Sequence, residues 1–329
     1  MTPTTWRWLR LSAGAVILAV LVWRLGTGPF LDGLRTVDGW SLAAAAVIGL
    51  LTTVCCAWRW SLVAGGLGAG VRLPAALAAY YRSQFLNTTL PGGVLGDVHR
   101  GLRHGREAGD VGLGLRAVGW ERAAGQGVQI LLAAILLSVL PSPVRSSMPA
   151  ALTVLAAILL GAVLLTLALP GGRTSRLARL ARGAVADIRA GLLDRGAWPG
   201  VLLASAVVVA GHTATFLIAA HAAGSQQSIP DLLPLAVLVL LAMGLPLNVG
   251  GWGPREGMAA WAFAAAGFGA AQGISAAVAY GVMVFVASLP GAAVLLAQWL
   301  RPRRALHGGA ATAGRRAPAA AGAQGGGRG

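Results

Sequence analysis

Charge is what this chain has least of. Only 11% of its 329 residues are charged, against roughly 25% in soluble domains. Its 26 basic and 10 acidic side chains cannot cover a water-facing surface. A soluble globular enzyme, a disordered chain and a nucleic-acid-binding domain are thereby excluded as leading classes. Lysine is absent altogether, and all 26 basic residues are Arg. We read that as compositional bias rather than chemistry. Cysteine is confined to Cys55 and Cys56, adjacent in an apolar run. Neighbours so close rarely form a disulfide, and two thiols make no metal site, so both read as small packing residues. The five histidines include no H-E-x-x-H pair and no Cys/His spacing. His212 reads as a hydrogen-bonded core residue. No Gly-x-Ser-x-Gly elbow occurs. The Gly-rich pieces lack a following Lys-Ser/Thr and a preceding strand, so they are not phosphate loops. No metal, cofactor or nucleotide is expected, and no stretch reads as a series of β-strands.

What the chain does have is apolar length. Hydrophobic residues make up 56% of it and the mean hydropathy is +0.71. A helix needs about 20 apolar residues to cross a bilayer core. Runs of that kind occupy residues 8–25, 40–62, 111–140, 149–169, 198–220 and 272–300, the last with a kink expected at Pro290. Two further apolar stretches are broken. Residues 74–93 contain Tyr80, Arg82, Gln84 and Asn87 and end in Pro91-Gly92-Gly93. Residues 230–269 are interrupted by Pro246 and by Gly250-Gly251-Trp252-Gly253-Pro254. The fold class expected is an all-α integral membrane protein, a polytopic bundle of about six to eight spans with two Gly/Pro-broken re-entrant hairpins. Residues 173–195 form a basic amphipathic helix, with Leu177, Leu180, Ala184, Ile188 and Leu192 at spacings of three and four. The Ala/Gly/Pro/Arg tail, 301–329, is expected to be disordered.

The net charge of +16 lies mostly in short segments between apolar runs, where Arg sets topology. Arg-rich stretches around 6–10, 59–116, 173–195 and 301–316 are placed in the cytoplasm, and 26–39, 141–148 and 221–230 outside. The first apolar run lacks an A-x-A cleavage site and reads as an uncleaved span. Both termini are then cytoplasmic, in a multi-pass cytoplasmic-membrane protein. With six full spans, the pattern is an inverted repeat within a single transmembrane domain, residues 1–300. Half one covers about 8–140 and half two about 149–300, each a span, a span, a broken hairpin and a span. Broken segments in matching positions are the sequence pointer to a transporter's midplane site. The other topology lets 230–251 and 253–269 cross fully, giving seven or eight spans.

Irregular backbone at membrane depth must be buried in protein or line a wet cavity. The ionisable residues near the breaks are Arg82, Asp97, Arg100, Glu121, Arg122, Arg255 and Glu256. Each costs roughly 2.5–3.5 kcal/mol near the bilayer centre on insertion scales, so each must be paired or hydrated. Glu121 and Arg122 lie ten residues into an apolar run, about 15 Å along a helix. Arginine binds phosphate through two parallel hydrogen bonds. Arg82, Arg100 and Arg255 are therefore expected on a lipid phosphate, with Glu121, Glu256 and Asp97 balancing charge or relaying a proton. The alternative is structural: Glu121 pairs with Arg82 or Arg255 and locks the bundle.

Three stretches carry a family resemblance. The first is Tyr81-Arg82-Ser83-Gln84-Phe85-Leu86-Asn87-Thr88-Thr89-Leu90-Pro91-Gly92-Gly93, followed by Gly96-Asp97 and Arg100. The second is Glu121-Arg122. The third is Pro246, Gly250, Gly251, Gly253, Arg255 and Glu256. In this order and spacing they resemble the signatures of the lysylphosphatidylglycerol synthase transmembrane-region family. That is the flippase-like membrane domain of multiple-peptide-resistance factors, found also as stand-alone proteins. The resemblance covers about residues 10–300. Leu95 stands where the family usually has Gly, and Pro254 where it usually has an aliphatic residue, which affects how Arg255 is presented. The resemblance implies lipid handling, with Arg82, Asn87, Pro91, Gly92, Gly93, Asp97, Arg100, Glu121, Arg122, Gly250, Gly251, Arg255 and Glu256 as substrate-binding candidates. It does not imply aminoacyl transfer, which in the fused proteins belongs to a separate soluble domain. About 29 residues follow the last span here.

The function expected is translocation, flippase- or scramblase-like, of an anionic phospholipid or polyprenyl-linked lipid, by a transporter-like protein rather than an enzyme. Two rivals remain: a partner subunit for a lipid or cell-wall enzyme, and a membrane-embedded lipid transferase. Expected partners are the lipid substrate, anionic membrane lipids, and a second copy or an enzyme; nucleic acid is not among them.

Overall fold

The computed structural model describes residues 16–90, 93–168, 176–245 and 251–300. Pro91, Gly92, Pro246 and Gly250 lie outside these, as do the start of the first apolar run and the tail expected to be disordered. Among the described residues there is no strand.

Thirteen helices are described. They begin with α1 (Val16–Leu25) and α2 (Gly28–Arg35), bent 97° apart at Gly26, whose φ of 74° suits only glycine. The long α3 (Gly39–Gly66) starts where the Asp38 carboxylate accepts from the Ser41 N–H at 2.8 Å. Next comes α4 (Leu73–Thr89), with Pro74 in its first turn. It stops at Leu90, which precedes a proline and turns extended. The chain reverses into α5 (Leu95–Glu107) and again into α6 (Val111–Val139), capped by Asp110 on the Leu113 N–H. After a 3-10 turn at Arg145–Ser147 come α7 (Met148–Ala168), α8 (Arg176–Gly191), α9 (Trp198–Ala222) and α10 (Ile229–Met243). Then follow α11 (Pro254–Ala265), α12 (Ala270–Ser288) and α13 (Pro290–Leu300), the last two separated at the proline where a kink was expected. Contacts gather the chain up to Val294 into one bundle, and residues from Leu295 form a separate unit.

Four of these are long and apolar enough to cross a membrane: α3, α6, α9 and the run Ala270–Leu300. The bent α1–α2 pair makes a fifth if it is one broken span. This is fewer than the six to eight expected. The shortfall falls on α10, only 15 residues long with Pro234 inside it, and on α7, whose side chains are described only in part. Large apolar side chains such as Val47, Leu51, Leu131, Val139 and Leu203 face outward. That is the surface of a polytopic membrane bundle, whose solvent is lipid.

Helix contacts repeat across the bundle. In the first half α3 packs on α4, α4 on α5, α5 on α6 and α3 on α6. In the second, α9, α10, α11 and α12 reproduce each of those pairings in the same order. The halves meet through α3 and α9, the most extensive helix contact. The crossed contacts match too, α3–α12 with α9–α6 and α4–α12 with α10–α6. Outside this repeat, α8 is pinned to α6, its Asp187 accepting from the Trp120 indole N–H at 3.1 Å and pairing with Arg116.

Close approach in the α5–α6 hairpin depends on glycine. A Cβ on Gly114 would meet the Gly101 carbonyl oxygen and the Gly105 backbone, whereas one on Gly119, on the same helix, would meet nothing within 4 Å. Gly114→Leu is expected to lower the Tm in detergent, through an overpacking penalty of about 1–3 kcal/mol or more. Gly119→Leu should melt like wild type, and equal losses in both variants would refute the close contact.

Candidate functional site

Five charged residues of the first half come together. Arg59 on α3, Asp97 and Arg100 on α5, and Glu121 and Arg122 on α6 form one linked cluster. Glu121 is fully buried at its centre. Its Oε1 accepts from Arg59 Nε at 2.9 Å, from Arg59 Nη2 at 2.5 Å and from the Tyr80 hydroxyl at 3.0 Å. Its Oε2 accepts from Arg100 Nη2 at 3.0 Å. Asp97 is bonded on both oxygens as well. Oδ1 takes Ser83 Oγ and Arg100 Nη2, each at 3.0 Å, and Oδ2 takes Asn87 Nδ2 at 2.9 Å together with Arg122. The guanidinium of Arg100 lies between two rings, 4.5 Å from that of Trp60 and 4.2 Å from that of Tyr80. The group thus meets two π-systems while its Nη2 bridges both carboxylates.

Local sequence makes this possible. Residues four apart share a helix face. Gly125 follows Glu121 by one turn, and a Cβ there would come within 2.8 Å of the Arg59 guanidinium. The missing side chain is the seat of Arg59, whose Nη1 also donates to Ser205 Oγ on α9 at 3.0 Å. On the neighbouring face, Arg122, Gln126 and Gln129 form a stripe at spacings of four and three.

That stripe borders a cavity of about 300 Å³ between α3, α4, α6, α9, α10 and α12. Its wall is polar for a membrane bundle. Carboxamides come from Gln84, Asn87, Gln126 and Gln129, and hydroxyls from Thr52, Thr53, Thr88 and Ser288. Arg59 and Arg122 are the guanidinium groups on the wall. Arg59 is buried behind its salt bridge, whereas the Arg122 side chain is about half exposed. Three guanidiniums against two carboxylates leave the cluster one positive charge in surplus, and Arg122 is the member that presents it to open space.

The second half holds a smaller counterpart. At the start of α11, Glu256 Oε2 accepts from the Gly253 N–H at 2.7 Å and its Oε1 from Arg255 Nε at 2.8 Å. Arg255 lies over the rings of Trp252, at 4.8 Å, and Tyr280, at 5.7 Å. Gly281 leaves it room, since a Cβ there would strike the guanidinium. This pair is neutral and does not line the cavity. Tyr280 does, and its hydroxyl meets His212 Nδ1 at 2.9 Å.

Of the residues singled out from sequence, Asn87, Asp97, Arg100, Glu121 and Arg122 come together. Gly93, at φ 61°, reaches the cavity wall. Arg82 is buried on α4 and does not line the cavity, and Arg255 with Glu256 forms a separate pair. Gly251 has φ 86°, in the turn before α11. Pro91, Gly92 and Gly250 are outside the described residues. Of the arginines expected on a phosphate, Arg82, Arg100 and Arg255, none lines this cavity; Arg122 does. Glu121 pairs with Arg59 and Arg100 rather than with Arg82 or Arg255. Sequence reasoning missed Arg59, although an arginine inside an apolar run is itself a signal. It also missed the polar stripe beyond Arg122. His212 is hydrogen-bonded, as expected, and lines the cavity besides. The described residues hold no group of three or more metal-ligating side chains.

The family model for the lysylphosphatidylglycerol synthase TM region matches residues 7–291. No curated protein and no solved structure matches the chain significantly.

Removing one partner of a buried ion pair leaves an uncompensated charge, at about 3–5 kcal/mol. Glu121→Ala is therefore expected to lower stability far more than Glu107→Ala, whose pair with Arg103 is half exposed on both sides. Exposed pairs are worth about 0–1 kcal/mol. Thermal unfolding in one detergent compares them, and equal Tm values would contradict the buried cluster.

Proposed function

The chain belongs to the lysylphosphatidylglycerol synthase TM-region family, a membership that carries a membrane- and lipid-related role, and from that premise we propose that it translocates lipids between leaflets. The cargo is a lipid with an anionic head group, an anionic phospholipid or a polyprenyl-linked lipid. The observation that supports this best is the surplus cation. Arg122 presents a guanidinium to a polar cavity inside a bundle whose outer surface is apolar. An arginine carries five N–H donors, and Asp97 engages only one edge of this one. The remaining donors suit a phosphate, bound through charge-assisted hydrogen bonds in a low-dielectric surround. Acyl chains stay in the bilayer while the head group occupies the cavity.

In this reading the α4–α5 and α10–α11 hairpins re-enter the bilayer from opposite sides and flank the passage. Both termini lie in the cytoplasm, and the protein sits in the cytoplasmic membrane. The buried cluster holds Arg122 in place, and no covalent step is assigned to any side chain.

Liposomes carrying acyl-labelled phosphatidylglycerol and the purified protein test it with membrane-impermeant dithionite. Wild type should expose inner-leaflet label to quenching. Arg122→Gln, checked for an unchanged Tm, removes a charged hydrogen-bonding partner worth about 1.5–3 kcal/mol. It should slow the exposure about tenfold or more. If wild type behaves like protein-free liposomes for every anionic lipid, with and without a proton gradient, the proposal fails and a partner-subunit role takes its place.

A further inference from the structure

The cavity is lined by two guanidiniums, those of Arg59 and Arg122, and many neutral polar groups, but no carboxylate. All ten acidic residues of the chain fall within the described residues, and none of them lines it. The two nearest, Asp97 and Glu121, are bonded to protein donors on both oxygens. From Arg122 the α6 stripe continues with Gln126 and Gln129, about 6 and 10 Å further along the helix axis at 1.5 Å per residue. Gln84 and Asn87 line the cavity as well, with the hydroxyls of Thr88 and Ser288; Asn87 stands beside Arg122, both donating to Asp97 Oδ2. His212 is turned to the Tyr280 hydroxyl rather than to an acid.

This donor and acceptor set discriminates by chemistry. A carboxamide offers two N–H donors and a carbonyl acceptor, and a hydroxyl both donates and accepts. A wall of such groups matches the hydroxyls of a glycerol or a sugar, each of which also does both. It does not match an ammonium group. That group would enter a low-dielectric space lined by two guanidiniums of a cluster that carries one positive charge in surplus, with no lining carboxylate to meet it. Specificity of this kind works through the penalty placed on the wrong ligand.

We infer that the head group this cavity accepts is a phosphate bearing a neutral polyol, glycerol or sugar, and that amine-bearing head groups, aminoacylated ones included, are excluded. The inference deepens the lipid-translocation reading and rests on its placing the head group beside Arg122. The phosphate pairs with Arg122 and the polyol extends along Gln126 and Gln129. Two sources share this chemistry, a glycerophospholipid and a polyprenyl phosphosugar.

The test uses the full chain in two measurements. The first is the shift in Tm in detergent caused by short-chain phosphatidylglycerol, a polyprenyl phosphohexose, phosphatidylethanolamine and lysylphosphatidylglycerol. The second is dithionite exposure of acyl-labelled forms of the same lipids in liposomes. The first two lipids, or one of them, should raise the Tm and cross. Which of them does so names the source. The amine-bearing pair should bind and cross at least about tenfold less well, since like charges placed together cost several kcal/mol. Gln129→Glu, which puts a carboxylate two turns from Arg122, should admit lysylphosphatidylglycerol. If amine-bearing lipids shift the Tm as much as phosphatidylglycerol does, or if no lipid shifts it, the inference is overturned. A selective Tm shift without any crossing would uphold the head-group assignment and overturn translocation instead, so the two claims fail separately. Should Gln129→Glu not fold, the wild-type panel still decides.

Discussion

A carboxylate with no access to solvent has to be satisfied by protein, and in this bundle that requirement falls on Glu121. Its two oxygens take donors from α3, α4 and α5, and Arg59 carries the link on to Ser205 of α9. Five helices are thereby held in register around one acid. In water such a set would contribute little, because solvent would serve each group as well. In a low-dielectric interior the alternative to pairing is an orphaned charge, so position is specified sharply. The glycines follow from the same constraint. Gly125 exists to admit Arg59, and Gly114 to bring α5 close enough to α6 for Arg100 to reach Glu121.

The cluster explains why Arg122 can stand half open to a cavity while paired with Asp97 and still carry a charge in surplus. Both oxygens of Glu121 already accept from other donors. Asp97, which Arg122 does engage, is also held by Ser83, Asn87 and Arg100. With two carboxylates shared among three guanidiniums, the third is left under-neutralised by construction. A cation of that kind is the group most able to exchange partners with an arriving phosphate at low cost. The buried pairs supply the scaffold and Arg122 the exposed charge, a division that sequence proximity hides, since Glu121 and Arg122 are neighbours in the chain.

Legibility in sequence followed the contrast between a residue and its surroundings. The all-helical membrane class was visible because 11% charge leaves no other outcome for a chain of this hydropathy. Asp97, Arg100, Glu121 and Arg122 were visible as charges standing in or beside apolar text. Arg59 was equally charged but lay near the end of a run, where it counted toward topology. Its partner Glu121 is 62 residues away, and only packing could join them. Gln126 and Gln129 share a helical face with Arg122, so the period that marks an apolar stripe also marks this polar one. The number of spans was less legible, because apolar composition cannot tell a crossing helix from the 15-residue α10, with its internal proline.

The repeat in helix contacts gives the two halves equivalent places to fill, and they fill them differently. Glu121 lies 24 residues after Asp97, and Tyr280 lies 24 residues after Glu256. Where the first half has the Glu121-Arg122 pair on α6, the second has Tyr280-Gly281 on α12. The tyrosine still stacks on a buried arginine, Arg255, and the glycine makes room for it. Arg255 needs only the adjacent Glu256, so the second half closes as a neutral pair while the first keeps a surplus charge. A two-fold scaffold with symmetric charges would place an anion on its axis, equally bound from both sides. On the proposed lipid reading, the surplus charge on α6 draws the phosphate off-axis to Arg122, and the polyol lies along Gln126 and Gln129 of the same helix. Unequal filling of equivalent positions is thus what gives the bundle its charge asymmetry, with the surplus guanidinium contributed by the first half alone.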